Sequence, residues 1–269
     1  MVENRRESSS ALNPIGIDIP VHHVLERQLG LSAARNRVFT EAKKRNADWL
    51  ALLDDDVVPM DSWLEEYVRA IQSMPDVRLL YGQIWYQFPN GYSLAIERDA
   101  DSFEAIIEKP VRFGGGNLLI HESLYSVNCI RFDPRFDACG GEDIDLRHQA
   151  VACGVLLAPV PRAVIQETIS TRRATLLSGF HRKLDQGVAG FIMLKKYTPP
   201  LAVTVGLLAQ LSLRFIRLLG DWWRALQAHF LLLEERDKLL DTALASSAVF
   251  IGLIMGMCGY RGSYYARKD

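Results

Sequence analysis

Three adjacent carboxylates, Asp54, Asp55 and Asp56, stand directly behind the apolar run WLALL (residues 49–53). Like charges this close repel one another, so they need a compensating cation or strong hydrogen-bond donors. The D-x-D pair Asp54 and Asp56 can hold one hard divalent ion, Mg²⁺ or Mn²⁺, which completes its coordination with waters and substrate phosphates. The alternative is a solvated acidic loop in which Asp56 and Asp61 only cap the next helix. The triplet alone leaves both interpretations open.

Two glycine-containing motifs further along the chain also carry polar side chains. The first is GGGN, residues 114–117, and the second is GGEDIDL, residues 140–146. The two glycines before Glu142 allow a tight turn, and Asp143 then falls early in a predicted helix. Each motif also has a purely structural interpretation. GGGN can be a bulge or a turn, and GGED can be a loop that closes into a helix whose first acidic residues complement the helix dipole.

Alternating strand and helix patterns place these motifs in an α/β domain. Residues 17–25 (IDIPVHHVL) are typical of a short strand, a helix follows with Ser32 as a possible N-cap, and WLALLD is short and apolar enough for a buried strand. Asp61 or Ser62 can cap a further helix through Gln72, RLLYGQIWYQF is a strand, and the segment around the three glycines is strand-like. This pattern predicts a mostly parallel central sheet, with ligands at the carboxyl ends of its strands.

The ordered set ARN, LLDDDVVPMDSWL, GGGNLLI and GGEDIDL resembles the family 2 glycosyltransferases of the GT-A fold. The resemblance is strongest to the bacterial succinoglycan-type glucosyltransferases, which extend exopolysaccharide repeats on a lipid carrier. It runs from about residue 2 to residue 196, and the combination of motifs is specific although each motif alone is weak. The resemblance implies a GT-A nucleotide-sugar-binding domain.

The same resemblance implies roles for the carboxylates. Asp54 and Asp56 would bracket the ribose and the diphosphate-bound metal, with Asp55 in the same donor site. Asp143, of the pair that it forms with Glu142, would be the general base that takes a proton from the acceptor hydroxyl. Such a base on the face opposite the departing nucleotide is what an inverting transfer needs.

Cationic and amide side chains complete the implied donor site. The resemblance points Arg35 toward the donor nucleotide, although Arg35 could also be a surface helix charge, and it assigns Gly115 and Asn117 to the donor side. The stretch RRATLLSGFHRKLDQG follows where relatives carry a basic segment near the diphosphate. Arg182 and Lys183 are its candidates, because a guanidinium bridges phosphate oxygens and an ammonium neutralises them. An amphipathic helix with a solvated basic face is the alternative.

Two departures from the family pattern bear on activity. Gln166 stands where relatives often show a histidine that completes the metal site, which leaves the third protein ligand open. The chain opens with MVENRRESS, which resembles the end of the second strand of the family domain. About fifty residues that build the uracil pocket are therefore expected to be missing, either from a start assigned late or from a truncated copy, and this would leave an exposed sheet edge.

Composition excludes some classes of protein. The chain has 269 residues, and its 31 basic and 32 acidic side chains give a formal charge of -1, so no overall field attracts nucleic acid. The four cysteines, at positions 129, 139, 153 and 258, lack a paired spacing, which fits reduced thiols and disfavours a zinc site. The polar N-terminus lacks the apolar segment of a signal peptide. We therefore expect the catalytic part on the cytoplasmic side.

The composition changes after Pro199 and Pro200, so we expect a glycosyltransferase domain in residues 1–198 and a helical, membrane-associating region in residues 199–269. Apolar residues recur there at three- and four-residue steps with arginines between them, as in an interfacial amphipathic helix. Residues 242–260 form an uncharged run of nineteen residues, just long enough to span a bilayer of ~30 Å. The alternative is a helical hairpin buried against the catalytic domain.

The predicted function is metal-dependent transfer of a sugar at the cytoplasmic face of the inner membrane. The expected partners are a nucleotide-diphosphate sugar, a glycan or lipid-linked oligosaccharide acceptor, and the membrane, without nucleic acid. The alternative is a catalytically inactive, truncated GT-A-like binding protein. A nucleotidyltransferase such as a sugar-nucleotide pyrophosphorylase has a similar fold, but the chain lacks the early glycine-rich, basic loop that holds a triphosphate.

Overall fold

The computed structural model describes residues 2–4, 20–89, 103–233 and 235–264 of the chain. The strands are β1 (Val2–Asn4), β2 (Val24–Glu26), β3 (Trp49–Leu53), β4 (Val57–Pro59), β5 (Leu79–Gln87), β6 (Asn117–His121) and β7 (Leu157–Thr168). The helices are α1 (Leu31–Lys44), α2 (Trp63–Ser73), α3 (Phe103–Ile107), α4 (Ser123–Ser126), α5 (Glu142–Ala152), α6 (Leu176–Tyr197), α7 (Pro200–Phe230) and α8 (Arg236–Met257), with a 3-10 turn at Pro134–Phe136. The first part of the strand predicted over residues 17–25 lies outside the described residues.

Five strands form a mixed sheet in the order β3-β6-β5-β7-β4. Among the described residues only β5 and β7 pair in parallel in this sheet, and the other three pairings are antiparallel. The α/β class with a C-terminal helical region is confirmed, but the prediction of a mostly parallel sheet is wrong. Strands β3 and β5, which precede and follow helix α2 in the sequence, run in the same direction. Strand β6 lies between them in the sheet and runs opposite to both. A separate parallel pair is formed by β1 and β2.

Helices cover both faces of the sheet, and alternating side chains divide between them. Leu79 and Leu118 pack on the side of α1 and α5, whereas Leu80 and Leu119 pack on the side of α2. This period of two is what a pleated strand imposes on a sheet with two covered faces. Strand β3 is less buried than its apolar sequence predicts, since Leu52 is its one buried residue. The strand has a partner in the five-stranded sheet on one side only.

Two of the predicted helix caps differ from the structure. Helix α1 begins at Leu31 after Gly30, so Ser32 lies inside the first turn and is not the N-cap. The backbone N–H of Ser32 donates to Asp137 Oδ1 at 2.8 Å, which supplies an acceptor from a distant part of the chain. Ser62 does precede helix α2, but its side chain makes no capping hydrogen bond.

Helix α8 packs closely along α6 through glycines. A Cβ atom placed on Gly252 would lie 1.8 Å from the carbonyl oxygen of Leu184, and one on Gly187 would lie 2.2 Å from that of Val249. Helix α6 in turn packs through Val188 against the 3-10 turn. This part of α8 is therefore fixed to α6, as in the hairpin alternative.

Helix α7 lies on the outside of this layer. The most apolar part of its stretch Ala202–Phe230 has no buried residues, whereas the corresponding part of α8, Arg236–Met257, is partly buried. Both helices are long and apolar enough to cross a membrane by length and composition alone. The side of α7 that faces α8 is formed by Asp221, Ala225 and Ala228, and Ser246 of α8 donates a hydrogen bond to the buried Asp221 carboxylate.

Replacing Gly252 by alanine should separate α8 from α6. The added methyl group meets a backbone carbonyl that has no rotamer to move, so we expect the free energy of unfolding to fall by about 1–3 kcal/mol or more. The matched control is Gly220→Ala on α7, where a Cβ meets nothing within 4 Å. That change should be neutral or stabilising by up to about 1 kcal/mol, because alanine is the better helix former. Urea unfolding in mild detergent measures both values, and equal effects would contradict the packing.

Candidate active site

The acidic triplet and the glycine motif meet at one edge of the sheet. Leu53, the last residue of β3, pairs with Asn117, the first residue of β6. A Cβ on Gly116 would lie 2.9 Å from Asp54 Oδ2, and a Cβ on Gly115 would lie 2.6 Å from Arg35 Nη1. These two positions therefore need glycine because charged side chains pass directly over the backbone.

Arg35 joins three elements at this edge. Its Nη1 donates to Glu142 Oε1 at 2.7 Å, and its Nη2 donates to Asp54 Oδ1 at 3.0 Å. The guanidinium is buried and lies 5.3 Å from the centre of the Phe132 ring. Burial alone would lower the pKa of Arg35, but the charges of Asp54 and Glu142 outweigh it and the pKa is raised. The side chain thus fixes α1 to the end of β3 and to the start of α5.

Both carboxylates of the GGED motif lie in the first turn of α5, which follows Gly141 in a left-handed conformation (φ 94°). Asp143 Oδ2 accepts a hydrogen bond from the backbone N–H of Gly115 at 3.0 Å, and Asp143 Oδ1 accepts from that of Ile144 at 2.7 Å. Burial raises the pKa of Asp143 and the pKa of Glu142, and hydrogen bonds and Arg35 only partly offset it. The structure thus brings Asp143 to the glycine motif, 28 residues earlier in the chain.

Asn117 is fully buried beneath the site, and its side chain is occupied by the protein. Its Oδ1 accepts from Trp63 Nε1 at 2.8 Å and from the Tyr67 hydroxyl at 2.9 Å. Its Nδ2 donates to the carbonyl oxygens of Gln83 and Ala163 at 2.9 and 2.8 Å. A direct contact between this side chain and the donor is therefore not supported. Asn117 instead holds β6 against α2 and the neighbouring strands.

Asp55 and Asp56 are exposed in the turn that follows β3. Arg173 Nη1 lies 3.5 Å from Asp56 Oδ2 and 2.9 Å from Glu167 Oε1. Burial and the charges of Asp56 and Asp54 raise the pKa of Glu167, although Arg173 acts in the opposite sense. Glu167 was not predicted from the sequence, although the neighbouring Gln166 had drawn attention through the family pattern. Arg173 lies in the basic stretch that was predicted to lie near the diphosphate, but Arg182 and Lys183 were chosen from that stretch instead.

The oxygen-only side chains at this edge fit a hard divalent cation such as Mg²⁺ or Mn²⁺ in chemical type. Within the described ranges, however, no group of three or more His, Cys, Asp or Glu side chains comes together as a metal site. Asp54 is also shared with Arg35. The donor set fits an ion held by Asp54 and Asp56 that takes its other ligands from phosphate oxygens and water, which is how Mg²⁺ usually binds at phosphate sites.

The predicted basic residues lie on helix α6. Burial, and then the neighbouring charges of Arg182 and Arg112, lower the pKa of Lys183 to about 8. Arg112 therefore joins Arg182 and Lys183 in one group, which we call the basic cluster. Arg112 was not singled out from sequence, although it stands two residues before the glycine motif. A group of like charges of this kind favours binding of an anion.

Comparison with known proteins bears on the class of the chain. The family model for "Glycosyl transferase family 2" matches residues 16–123, which include Arg35, the acidic triplet and GGGN but not GGED. No match is found among curated proteins. Among solved structures, the crystal structure of GalNAc-T7 with UDP, GalNAc and Mn²⁺ is 16% identical with a TM-score of 0.39. The alignment covers 62% of this chain and 36% of that one, so the chain spans about a third of that protein's length.

The family model matches less than half of the chain, so it shows that residues 16–123 are similar to family 2 glycosyltransferases, and the mixed sheet between helices shows an α/β fold. The matched segment contains Arg35, the acidic triplet and the glycine motif of this sheet edge, whereas Glu142 and Asp143 lie outside it. These findings do not distinguish the succinoglycan-type subfamily from other members, and they do not test whether an N-terminal part is missing, so both stay predictions. The donor-site roles of Arg35, Asp55, Gly115, Arg182 and Lys183 likewise stay predictions.

Removing Arg35 should be costly for stability. In Arg35→Gln the buried carboxylate of Glu142 loses its partner, and breaking one side of such a pair costs about 3–5 kcal/mol when both groups are buried. We expect about 2–3 kcal/mol, because the Asp54 side chain is 41% exposed and water screens that half of the bridge. Arg37→Gln, two residues along the same helix, removes a more exposed pair with Glu41 and should cost under about 1 kcal/mol. Denaturant unfolding distinguishes the two, and similar losses would contradict the central role of Arg35.

Proposed function

We propose that the protein transfers a sugar from a nucleotide-diphosphate sugar to a hydroxyl group of a glycan or lipid-linked oligosaccharide, with inversion and with the help of Mg²⁺ or Mn²⁺. The observation that carries the proposal is the contact between Asp143 and Gly115. It places a carboxylate of raised pKa at the same sheet edge as Asp54 and Asp56, within a chain whose residues 16–123 match the glycosyltransferase model. A base and a diphosphate site close together are the two requirements of this reaction.

Asp143 is the group that accepts the proton in this proposal. As the acceptor oxygen forms a bond to the anomeric carbon, its proton passes to the Asp143 carboxylate. The bond from the anomeric carbon to the donor phosphate breaks, and its electron pair leaves with the nucleoside diphosphate. A carboxylate of raised pKa is a stronger base than an ordinary one, and the two backbone N–H groups fix its direction.

The leaving diphosphate needs positive charge. When bound, a divalent ion held by Asp54 and Asp56 would neutralise the developing charge on its oxygens. The basic cluster of Arg112, Arg182 and Lys183 offers a second source of cations. Arg35 contributes indirectly, since its contacts with Asp54 and Glu142 fix the positions of both carboxylates. In this proposal the negative charge that builds on the diphosphate would meet the ion and the basic cluster, and cations already in position reduce the reorganisation that transfer needs.

The membrane side of the proposal rests on helix α7. Ile216 and Trp223 project from its outer face with 65% and 61% of their surfaces exposed, in a helix whose most apolar stretch is unburied. Arg217 and Arg224 on the same helix are largely exposed, although both pair with Asp221, and exposed arginines of this kind favour an anionic lipid surface. Arg214 is half-buried and lies toward Gly190 of α6. This arrangement suits a helix that lies along the cytoplasmic face of a membrane and brings the site to a membrane-carried acceptor. The division into residues 1–198 and 199–269 belongs to the same proposal.

A screen of nucleotide sugars tests the function directly. Purified protein is incubated with each donor, with and without Mn²⁺, in the presence of membrane extract. We expect one donor to be consumed in a Mn²⁺-dependent manner, with release of the nucleoside diphosphate. If no donor is consumed and none binds, the chain is a non-catalytic binding protein and the proposal is wrong.

Replacing Asp143 by asparagine should separate chemistry from donor binding. Asparagine keeps the size and much of the hydrogen bonding but cannot accept the proton, so kcat should fall by ~10²–10⁴-fold while donor affinity changes little. The parent enzyme should also lose activity as the pH falls through the raised pKa of Asp143, above the ordinary range of an aspartate, because protonation removes the base. Steady-state kinetics across pH measure both effects. Transfer at the parent rate by a folded Asp143→Asn variant would exclude the general-base role.

The outer face of α7 should control membrane binding. The double substitution Ile216→Gln and Trp223→Gln removes two exposed apolar groups, and we expect vesicle binding to weaken by about tenfold or more. The matched control is Leu64→Gln with Val127→Gln, two similarly exposed residues (59% and 72%) outside the C-terminal helices. Flotation with vesicles that contain anionic lipid measures the difference. Equal flotation of both variants and the parent would count against α7 as the contact surface.

A further inference from the structure

We propose that residues 262–264, which we call the tail segment, are a positioning element of the candidate active site. This proposal rests on the proposed function. The tail segment follows α8 and returns to the catalytic domain, where it contacts the loop before Glu142 on one side and Arg173 on the other. Its proposed task is to keep the loop before Glu142 and the side chain of Arg173 at a fixed separation, so that the nucleoside diphosphate part of the donor can bind.

A buried carboxylate holds the backbone of the tail segment. Asp185 of helix α6 is 1% exposed, and its Oδ2 accepts hydrogen bonds from the backbone N–H groups of Ser263 and Tyr264 at 2.9 and 2.7 Å. Its Oδ1 has no hydrogen-bond partner among the described residues. Hydrogen bonds to a charged group are stronger than neutral ones, and a carboxylate is costly to bury without them. Asp185 is therefore placed to anchor this segment.

Gly262 packs against the loop that leads into α5. It has a positive φ of 96°, and a Cβ there would lie 2.7 Å from Cys139 Cβ and 2.8 Å from the carbonyl oxygen of Ala138. Cys139 is buried, three residues before Glu142. The tail backbone thus supports the loop that leads into α5. The first helical turn of α5 carries Asp143.

Tyr264 reaches the opposite part of the site. Its hydroxyl lies 3.2 Å from Ser178 Oγ in the first turn of α6. Burial lowers the pKa of Arg173, but Glu167, and after it the nearby Tyr264 side chain, raise that pKa, so Tyr264 lies close to the guanidinium. Arg173 in turn contacts Glu167 and Asp56. Tyr264 is therefore one step removed from the acidic edge, and its proposed action on the site is through the neighbouring Arg173.

Together these contacts make the C-terminal helices part of the site. Because α8 packs along α6 through Gly252, the tail segment leaves α8 at a fixed position relative to Asp185. Movement of α8 would then shift both the loop before α5 and Arg173.

The test compares two tyrosines of the same short stretch. Tyr264→Phe removes the hydroxyl that lies 3.2 Å from Ser178 Oγ and is near Arg173, whereas the control Tyr260→Phe removes a hydroxyl that donates to Ser263 Oγ at the surface. Binding of UDP, GDP and dTDP, each with Mn²⁺, is measured by calorimetry on the full chain in detergent. We expect Tyr264→Phe to weaken binding of the preferred nucleotide about two- to tenfold, the usual worth of a hydrogen bond, with the control unchanged. Unchanged or tighter binding in Tyr264→Phe would overturn the proposal.

Hydrogen exchange separates failure of this proposal from failure of the proposed function. In the parent protein the amides of Ser263 and Tyr264 should be protected, and in Asp185→Ala they should exchange freely while the amides of β6 stay protected. Free exchange of these two amides in the parent would show that the tail segment is undocked and would overturn the proposal whatever binds. If the tail is docked but no nucleoside diphosphate binds the parent, the proposed function fails and the positioning role falls with it.

Discussion

The bridge from Arg35 to Asp54 and Glu142 is the constraint on which the arrangement of the site depends. It joins residues that are 19 and 107 positions from Arg35 in the chain, so the end of β3 and the start of α5 keep their separation only while the guanidinium stays buried between them. Burial of an ion is unfavourable unless all its partners are in place. The same bridge explains the local sequence, because Gly115 and Gly116 leave room for Arg35 and Asp54 to pass over the backbone.

The elements could largely be predicted from sequence, but their directions and long-range contacts could not. Helix α2 and strand β5 follow from hydrophobic periodicity within a few residues, as local patterns allow. The reversal of β6 leaves no such trace, because alternation of apolar residues is the same for a parallel and an antiparallel strand. The prediction of Ser32 as the N-cap of α1 was wrong for a similar reason. The acceptor of the Ser32 N–H is Asp137, which lies 105 residues away in the chain and is not visible in the local pattern.

The candidate site shows the same division. The acidic triplet and the GGED motif were found because their residue types are chemically distinctive. Asn117 was grouped with them by motif alone, yet the structure uses all of its hydrogen-bonding capacity within the core. Glu167 was missed because its importance comes from the register between β4 and β7, in which it pairs with Val57 beside Asp56. Register is a property of two strands together, and one segment of sequence does not contain it.

The hairpin of α7 and α8 has a topological consequence. After Tyr197 the chain runs along α7, turns, and returns along α8, which packs on α6, to reach Gly262 beside Cys139. If the turn between α7 and α8 enters a lipid layer, the chain enters along one helix and leaves along the other, so the tail segment lies on the same side of the layer as Tyr197. A single membrane crossing would place the tail segment on the opposite side of the bilayer from Asp185, to which it is hydrogen-bonded. Under the proposed membrane association, a hairpin of this shape would attach the protein to the lipid layer and keep both of its ends on one side of it.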